Sequence, residues 1–163
     1  KGSSLLLEVL GGYGIVDADA GRIRRVLLNF IGNAIDHGDG KPIVAIVDSD
    51  ETTVAVAVRD WGVGMSEQET ARVFDRFWRA DPSRQRTTGG TGLGLAIAQE
   101  DARAHGGFID VWSAPGQGSC FRLTLPRHAG HSVTHSPLGL PAETTLVDSD
   151  GMELGLDEPA EVS

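Results

Sequence analysis

The sequence predicts an α+β domain with helices layered on one face of a sheet, and three observations predict it. Apolar side chains at Ile23, Val26, Leu27, Phe30, Ile31, Ala34 and Ile35 keep strict i, i+3, i+4, i+7, i+8 spacing, the signature of an amphipathic helix. β-branched runs come in pairs, "PIVAIVD" with "TVAVAVRD" around "SDET", and "FIDVWS" with "SCFRLTL" around "APGQG". Each pair reads as a hairpin. Few helical segments lie among the paired strands, the pattern of a sheet with helices gathered on one side.

The elements follow in order. Leu5 to Leu10 reads as a short strand ending at Gly11 and Gly12. Asp19 is placed to cap the helix that carries the apolar stripe, and Gly38 stops it. The first hairpin spans Pro42 to Asp60, where "WGVGM" breaks the strand. Ser66 with Glu69 three residues on is a capping box, opening a helix expected to end near Trp78. Residues 80–91 are polar, basic and glycine-rich and read as a mobile loop. Leu93 to His105 reads as a helix stopped by Gly106, with His105 as a helix-end residue favourable to the dipole. The second hairpin ends at Pro126, beyond which periodicity disappears.

The chain has 163 residues, enough for one domain with a tail. The domain is expected over 1–126, and an acidic, disordered tail over 127–163. A net charge of −9 argues against nonspecific nucleic-acid binding. From Arg127 onward there are seven acidic residues against that one arginine. Arg72, Arg76, Arg79, Arg84 and Arg86 cluster just before the densest glycines. The one cysteine, Cys120, excludes an internal disulfide and fits a reducing compartment. No apolar run approaches a membrane span, and the start has no secretory pattern. No Met opens the chain, so it is expected to be a piece of a longer protein.

The stretch "TTGGTGLGLAIAQEDARAHGG" asks for bare backbone at Gly89, Gly90, Gly92 and Gly94. It is not a Walker A loop, because Leu95 rather than Lys follows Gly94. It is not a dinucleotide fingerprint either, because Ile97 holds the third glycine position. By itself it fits a phosphate cradle at a helix N-terminus or a flexible hinge. Asn29 and Asn33, four apart on the first helix, fit carbonyl ligands for a hard cation or two boundary amides. Asp60, before Gly62 and Gly64, fits a ligand-facing carboxylate or a turn residue. His128, His131 and His135 with Cys120 nearby match no well-defined metal spacing.

"NFIGN", "DWGVG", "FDRFWR", "GGTGLGL" and "GQGS" occur in this order and resemble the N, G1, F, G2 and G3 boxes of the GHKL ATPases. The order and separations are similar to the ATP-binding domain of two-component sensor histidine kinases, over residues 5–126. Finer detail, from "NAIDHG" through "SCFRLTLP", resembles the MtrB kinases, an actinobacterial branch of that family. The resemblance implies a two-layer α/β sandwich (the Bergerat fold), with a mixed, largely antiparallel sheet, helices on one face and a lid over ATP. It implies that Asn33 and Asn29 hold Mg²⁺ between the phosphates, and that Asp60 accepts from the adenine amino group. Gly62 and Gly64 would let the chain pass close to the base, and Ser119 would place a hydroxyl near it. Gly90, Thr91, Gly92, Leu93 and Gly94 would wrap the phosphates, and Arg79 would meet the γ-phosphate. Phe74, Phe77 and Trp78 would be packing that anchors the lid.

Two positions depart from the family pattern. Asp36 and His37 stand where a Lys and a Tyr are usual. Asp36 is expected to point away from phosphate or to pair with an arginine such as Arg22, and His37 keeps only a weak phosphate role. None of the five histidines has the context of a phospho-acceptor. The acceptor would lie in a separate dimerisation domain, missing here together with the domain's first helix. The implied activity is donation of the γ-phosphate of ATP·Mg²⁺ to that histidine. The implied partners are that domain, a downstream response regulator and a second copy of the full-length protein. The implied location is the cytoplasmic side of a membrane-anchored sensor kinase. The alternatives are a GHKL ATPase, which would need a Glu where Asn29 stands, and a nucleotide-sensing module without kinase activity.

Overall fold

The structure, a computed structural model, describes residues 2–11, 14–79 and 92–141 and the backbone of two short strands beyond them. Five strands form one mixed sheet: β1 (Leu5–Val9), β2 (Ile43–Ser49), β3 (Thr53–Asp60), β4 (Phe108–Ala114) and β5 (Gly118–Pro126), in the order β1-β2-β3-β5-β4. Only β1 and β2 run parallel; both expected hairpins, β2–β3 and β4–β5, are antiparallel. Three helices, α1 (Ala20–His37), α2 (Glu67–Arg72) and α3 (Gly94–Ala104), connect them. A separate antiparallel pair, β6 (Leu146–Val147) with β7 (Glu153–Leu154), lies beyond the sheet. Loop residues 80–91, expected to be mobile, lie outside the described residues.

Local signals set the helix starts. The Asp19 carboxylate accepts from the Arg22 amide at 3.0 Å. In the capping box, Ser66 Oγ accepts from the Glu69 amide, and Glu69 accepts from the Ser66 amide. Val26, Phe30 and Ala34 of α1 are buried; Ile35, at the edge of the stripe, stays exposed. α2 is shorter than its periodicity predicts. It stops at Arg72, and i→i+3 turns follow, with the Asp75 amide on Arg72 O and the Trp78 amide on Asp75 O. The Phe77 amide, which a longer helix would use internally, donates to Gly92 O at 2.9 Å. Phe77 sits at φ +64° and is 71% exposed, so it is not the packing residue the sequence suggested. Phe74 does pack, edge-on to Phe121 with ring centroids 6.4 Å apart.

α1 and α3 are joined by a buried charge. The Asp101 carboxylate is 4% exposed and receives Arg25 Nε at 3.0 Å and Nη2 at 2.6 Å. His105 has a job beyond the expected one. Its Nε2 accepts from the Asp19 amide at 3.1 Å, which requires a neutral ring with the proton on Nδ1. That Nδ1–H donates to Asp101 O at 2.6 Å. The histidine, at the C-terminal end of α3 as expected, also staples that end to the start of α1.

Alternation along the strands builds two cores. Ile43, Ala45, Val58, Phe121, Leu123 and Leu125 pack against Val26, Phe30, Ala98 and Ala102 of the helices. On the opposite face, Val44, Ile46, Ala55, Ala57, Trp61 and Cys120 pack with Leu138 and Leu140. Residues 127–141, expected as acidic coil, therefore form a strap over the second face. The Arg127 amide donates to Thr52 O at 2.9 Å, and the Val133 amide to Gly106 O at 3.0 Å. Arg122, buried and paired with Asp110, donates to Leu138 O. Thr124 Oγ1 donates to Ser136 Oγ at 2.9 Å. Leu138 is fully buried, so Leu138→Ala is expected to cost about 2–5 kcal/mol. Urea unfolding measures this; a loss below ~1 kcal/mol would mean that the strap does not belong to the core.

Candidate nucleotide site

One cleft gathers most of the residues singled out in the sequence. It is lined by Asn29, Asn33 and His37 of α1, by Val63, Gly64 and Met65 after β3, and by Val73, Trp78 and Arg79. Gly92, Gly94, Leu95, Ser119 and Phe121 complete it. Gly90 and Thr91 lie outside the described residues. Leu93 precedes the first turn of α3 without a side-chain cap and is not among the lining residues. Asp36 is half-buried and does not line the cleft. Arg22, one partner suggested for it, lies 3.9 Å from Asp19 and 3.9 Å from Asp101.

Asp60 and Gly62 are not among the lining residues; Asp60 lies at the end of β3, in register with Ser119, which does line the cleft. The Asp60 carboxylate is 4% exposed and accepts from the Gly62 amide at 2.9 Å. Burial pushes its pKa up, and the Gly62 hydrogen bond and the Arg59 charge offset only part of that. Ser113 Oγ accepts from the Met65 amide at 2.8 Å and donates to Gly118 O at 2.9 Å. The Ser119 hydroxyl, 2.8 Å away, then donates to Ser113 Oγ and keeps its lone pairs for the cleft. Ser119 thus offers an acceptor among the apolar walls, with the buried Asp60 carboxylate as its register neighbour, a match for a flat ring that carries a hydrogen-bond donor.

On the α1 wall of the cleft, Asn29 Nδ2 donates to Arg25 O at 3.0 Å, which turns Oδ1 the other way. A Cβ built on Gly94 would stand 2.3 Å from that Oδ1. Bare backbone at Gly94 therefore makes room for the Asn29 carbonyl. Asn33 lines the same wall one turn on. Paired amide oxygens suit a hard cation such as Mg²⁺. The first amides of α3 have no partner within the helix and favour an anion. The residues present fit a cation held between phosphates.

The glycines after Asp60 serve the protein's own backbone. A Cβ on Gly62 would stand 1.8 Å from His37 O, and one on Gly64 (φ +66°) 1.9 Å from Ala114 O. The Val63 amide donates to His37 O at 3.1 Å, and the Gly116 amide to Val63 O at 2.8 Å. The apolar walls at Val63, Met65 and Leu95 escaped the sequence reading because they carry no chemistry; their place beside the glycines was the available signal. The histidines after β5 are used in pairs: the His128 and His131 rings meet edge to face, and His135 Nε2 lies 3.1 Å from Asp50. Among the described residues, no group of three His, Cys, Asp or Glu side chains could hold a metal ion.

Two outcomes follow from this geometry. Gly94→Ala meets a side-chain amide that can swing away, so the fold should survive while Mg²⁺-dependent nucleotide affinity falls about tenfold. Gly62→Ala meets backbone and should cost about 1–3 kcal/mol of stability; calorimetry and thermal unfolding separate the two. Because the Asp60 pKa is raised, the native state holds that proton more tightly than the unfolded chain does. Its stabilising contribution is present at low pH and is lost as pH rises through the raised value. The ionised form is the one that accepts from a ligand. Nucleotide affinity should therefore begin to fall, on acidification, above the usual aspartate range of about 3.9. Titrating binding in the wild type and in Asp60→Asn checks this, and the acid limb should vanish in the variant.

Residues 18–129 match the family described as histidine kinase-, DNA gyrase B- and HSP90-like ATPase. The chain is 55% identical over 137 residues to the sensor histidine kinase MtrB of Mycobacterium tuberculosis, covering 84% of this chain and 24% of that protein. It thus spans about a quarter of the length of such curated relatives. The mycobacterial sensor histidine kinase MprB superposes with a TM-score of 0.64 at 28% identity, over 77% of this chain and 85% of that one. Full-length ShkA in complex with AMPPNP gives 0.66 at 30% identity, over 84% and 27%. The mixed sheet with its layered helices is the fold of histidine kinase catalytic domains, and the chain belongs to the histidine kinase-, gyrase B- and HSP90-like ATPase family.

Proposed function

We propose that the chain binds ATP with Mg²⁺ in this cleft and donates the γ-phosphate to a histidine on a separate dimerisation domain. One observation carries the reading. Ser119, the register partner of the buried Asp60, lines the same cleft as the paired amides Asn29 and Asn33 and the first residues of α3, Gly94 and Leu95. Asp60 would accept from the adenine amino group, and Gly64 with Met65 would lie along the ring. The Asn29 and Asn33 oxygens would hold Mg²⁺, which when bound offsets phosphate charge. The amides from Gly92 to Leu95 would receive the phosphates, and Arg79 would meet the γ-phosphate with its planar fork. Such a protein chiefly supplies positioning and charge to phosphoryl transfer. Asn33 and Arg79 are the residues assigned to that transfer, and His37 contributes no more than a wall.

Hydrolysis is the less supported activity. Asn29 stands where a carboxylate would activate water, and its Nδ2 is committed to Arg25 O. The partners under this reading are the acceptor domain, a response regulator and a second kinase subunit, with anchoring to a membrane through other segments. Among the described residues, no helix is long and apolar enough to cross a membrane.

The test mixes the chain with a separately made acceptor-histidine domain and labelled ATP·Mg²⁺. Acid-labile phosphate should appear on the acceptor and not on residues 1–163. Asn33→Ala should slow transfer by roughly 10²-fold, the scale for one lost electrostatic contact at a transferring group. Rapid ATP hydrolysis with no transfer would replace the kinase reading with the ATPase one.

A further inference from the structure

Arg59 is the one buried cation on the strand that carries Asp60, and it lies on the sheet face turned away from the cleft. It is 4% exposed. Its guanidinium carbon lies 4.7 Å from the Trp61 ring centroid and 4.8 Å from that of Trp112. The fork donates to three carbonyls: Nη1 to Asp60 O and to Ser119 O at 3.3 Å, and Nη2 to Gln117 O at 2.9 Å. Two of those carbonyls belong to Asp60 and Ser119, register partners at the ends of β3 and β5, and the third to Gln117, just before β5; of these, Ser119 lines the cleft.

We propose that Arg59 is a positioning residue for base discrimination, setting the spacing of the Asp60 carboxylate and the Ser119 hydroxyl from behind the sheet. The donors of a guanidinium are fixed in one plane, so carbonyls that share them are held at a covalently set separation. The tryptophan plates keep that plane from turning, and cation–π attraction favours the sandwich. Lysine keeps the charge but lacks the fork. Glycine at Gly118 completes the arrangement, because a Cβ there would stand 2.1 Å from Asp60 O. The two strand ends are therefore in direct backbone contact, and a small change at Arg59 reaches both acceptors.

This inference rests on the nucleotide reading of the cleft, and the test keeps the two apart. Affinities for ADP, GDP and inorganic tripolyphosphate are measured on the wild type, Arg59→Lys and Trp112→Leu, with circular dichroism to confirm folding. Wild-type chain should prefer ADP to GDP. In Arg59→Lys that preference should shrink roughly tenfold, the factor carried by one charged hydrogen bond to the base. Tripolyphosphate affinity should stay as in the wild type. Trp112→Leu, which removes one plate and keeps the fork, should show a smaller change in the same direction and serves if Arg59→Lys does not fold. Unchanged preference in a folded variant overturns the role of Arg59, and so does an equal loss for ADP and tripolyphosphate. Equal wild-type affinities for ADP and GDP would instead overturn the reading of the cleft.

Discussion

The cleft depends on how closely the last carbonyl of α1 approaches the chain leaving β3. His37 O would lie 1.8 Å from a Cβ at position 62, and Gly38 Cα 2.6 Å from it. Only a glycine lets the helix end settle onto the strand end. The contact holds one wall, the α1 face bearing Asn29, Asn33 and His37, in fixed relation to the other, Val63, Gly64 and Met65 after β3. The Arg25–Asp101 pair and the His105 staple fix α3 to α1 in turn. The pair buries the Asp101 carboxylate while the Arg25 side chain stays half exposed, so it is better evidence for a specified register than for net stability.

The second constraint is electrostatic. Asp60 is buried, it accepts from the Gly62 amide, and burial raises its pKa, so its ionised form is held at a desolvation cost. A ligand donor placed against it recovers part of that cost, which a protein without such a group would have to find in contact area. Under the proposed reading, affinity and discrimination would come from the same atom. Arg59 lowers the Asp60 pKa through its charge while fixing the backbone around it, so one residue serves both ends.

Much of this was legible where the information is local. The Asp19 cap, the Ser66–Glu69 box, the stripe of α1 and both hairpins follow from spacing alone, and the structure repeats them. Legibility fails where a distant group decides. Val73, Phe74, Phe77 and Trp78 continue a helical period, yet the Phe77 amide goes to Gly92, fifteen residues on, and the helix stops. The strap has no period to detect, because Leu138 and Leu140 are buried by the sheet face they meet and not by a regular element of their own. At the site, the ordered motifs named nearly every polar group on the wall. For Gly62 and Gly64, sequence shows that backbone must come close without showing that His37 O and Ala114 O are what it meets.

The hydrogen bond between the Phe77 amide and Gly92 O, with Gly92 at φ +76° and no room for a Cβ against Phe77, closes the intervening segment into a ring. Trp78 and Arg79, directly after the clasp, line the cleft. The clasp therefore fixes the point at which the chain leaves that wall and the point at which it returns to start α3, so the entry to the helix is held by one backbone hydrogen bond between residues fifteen positions apart.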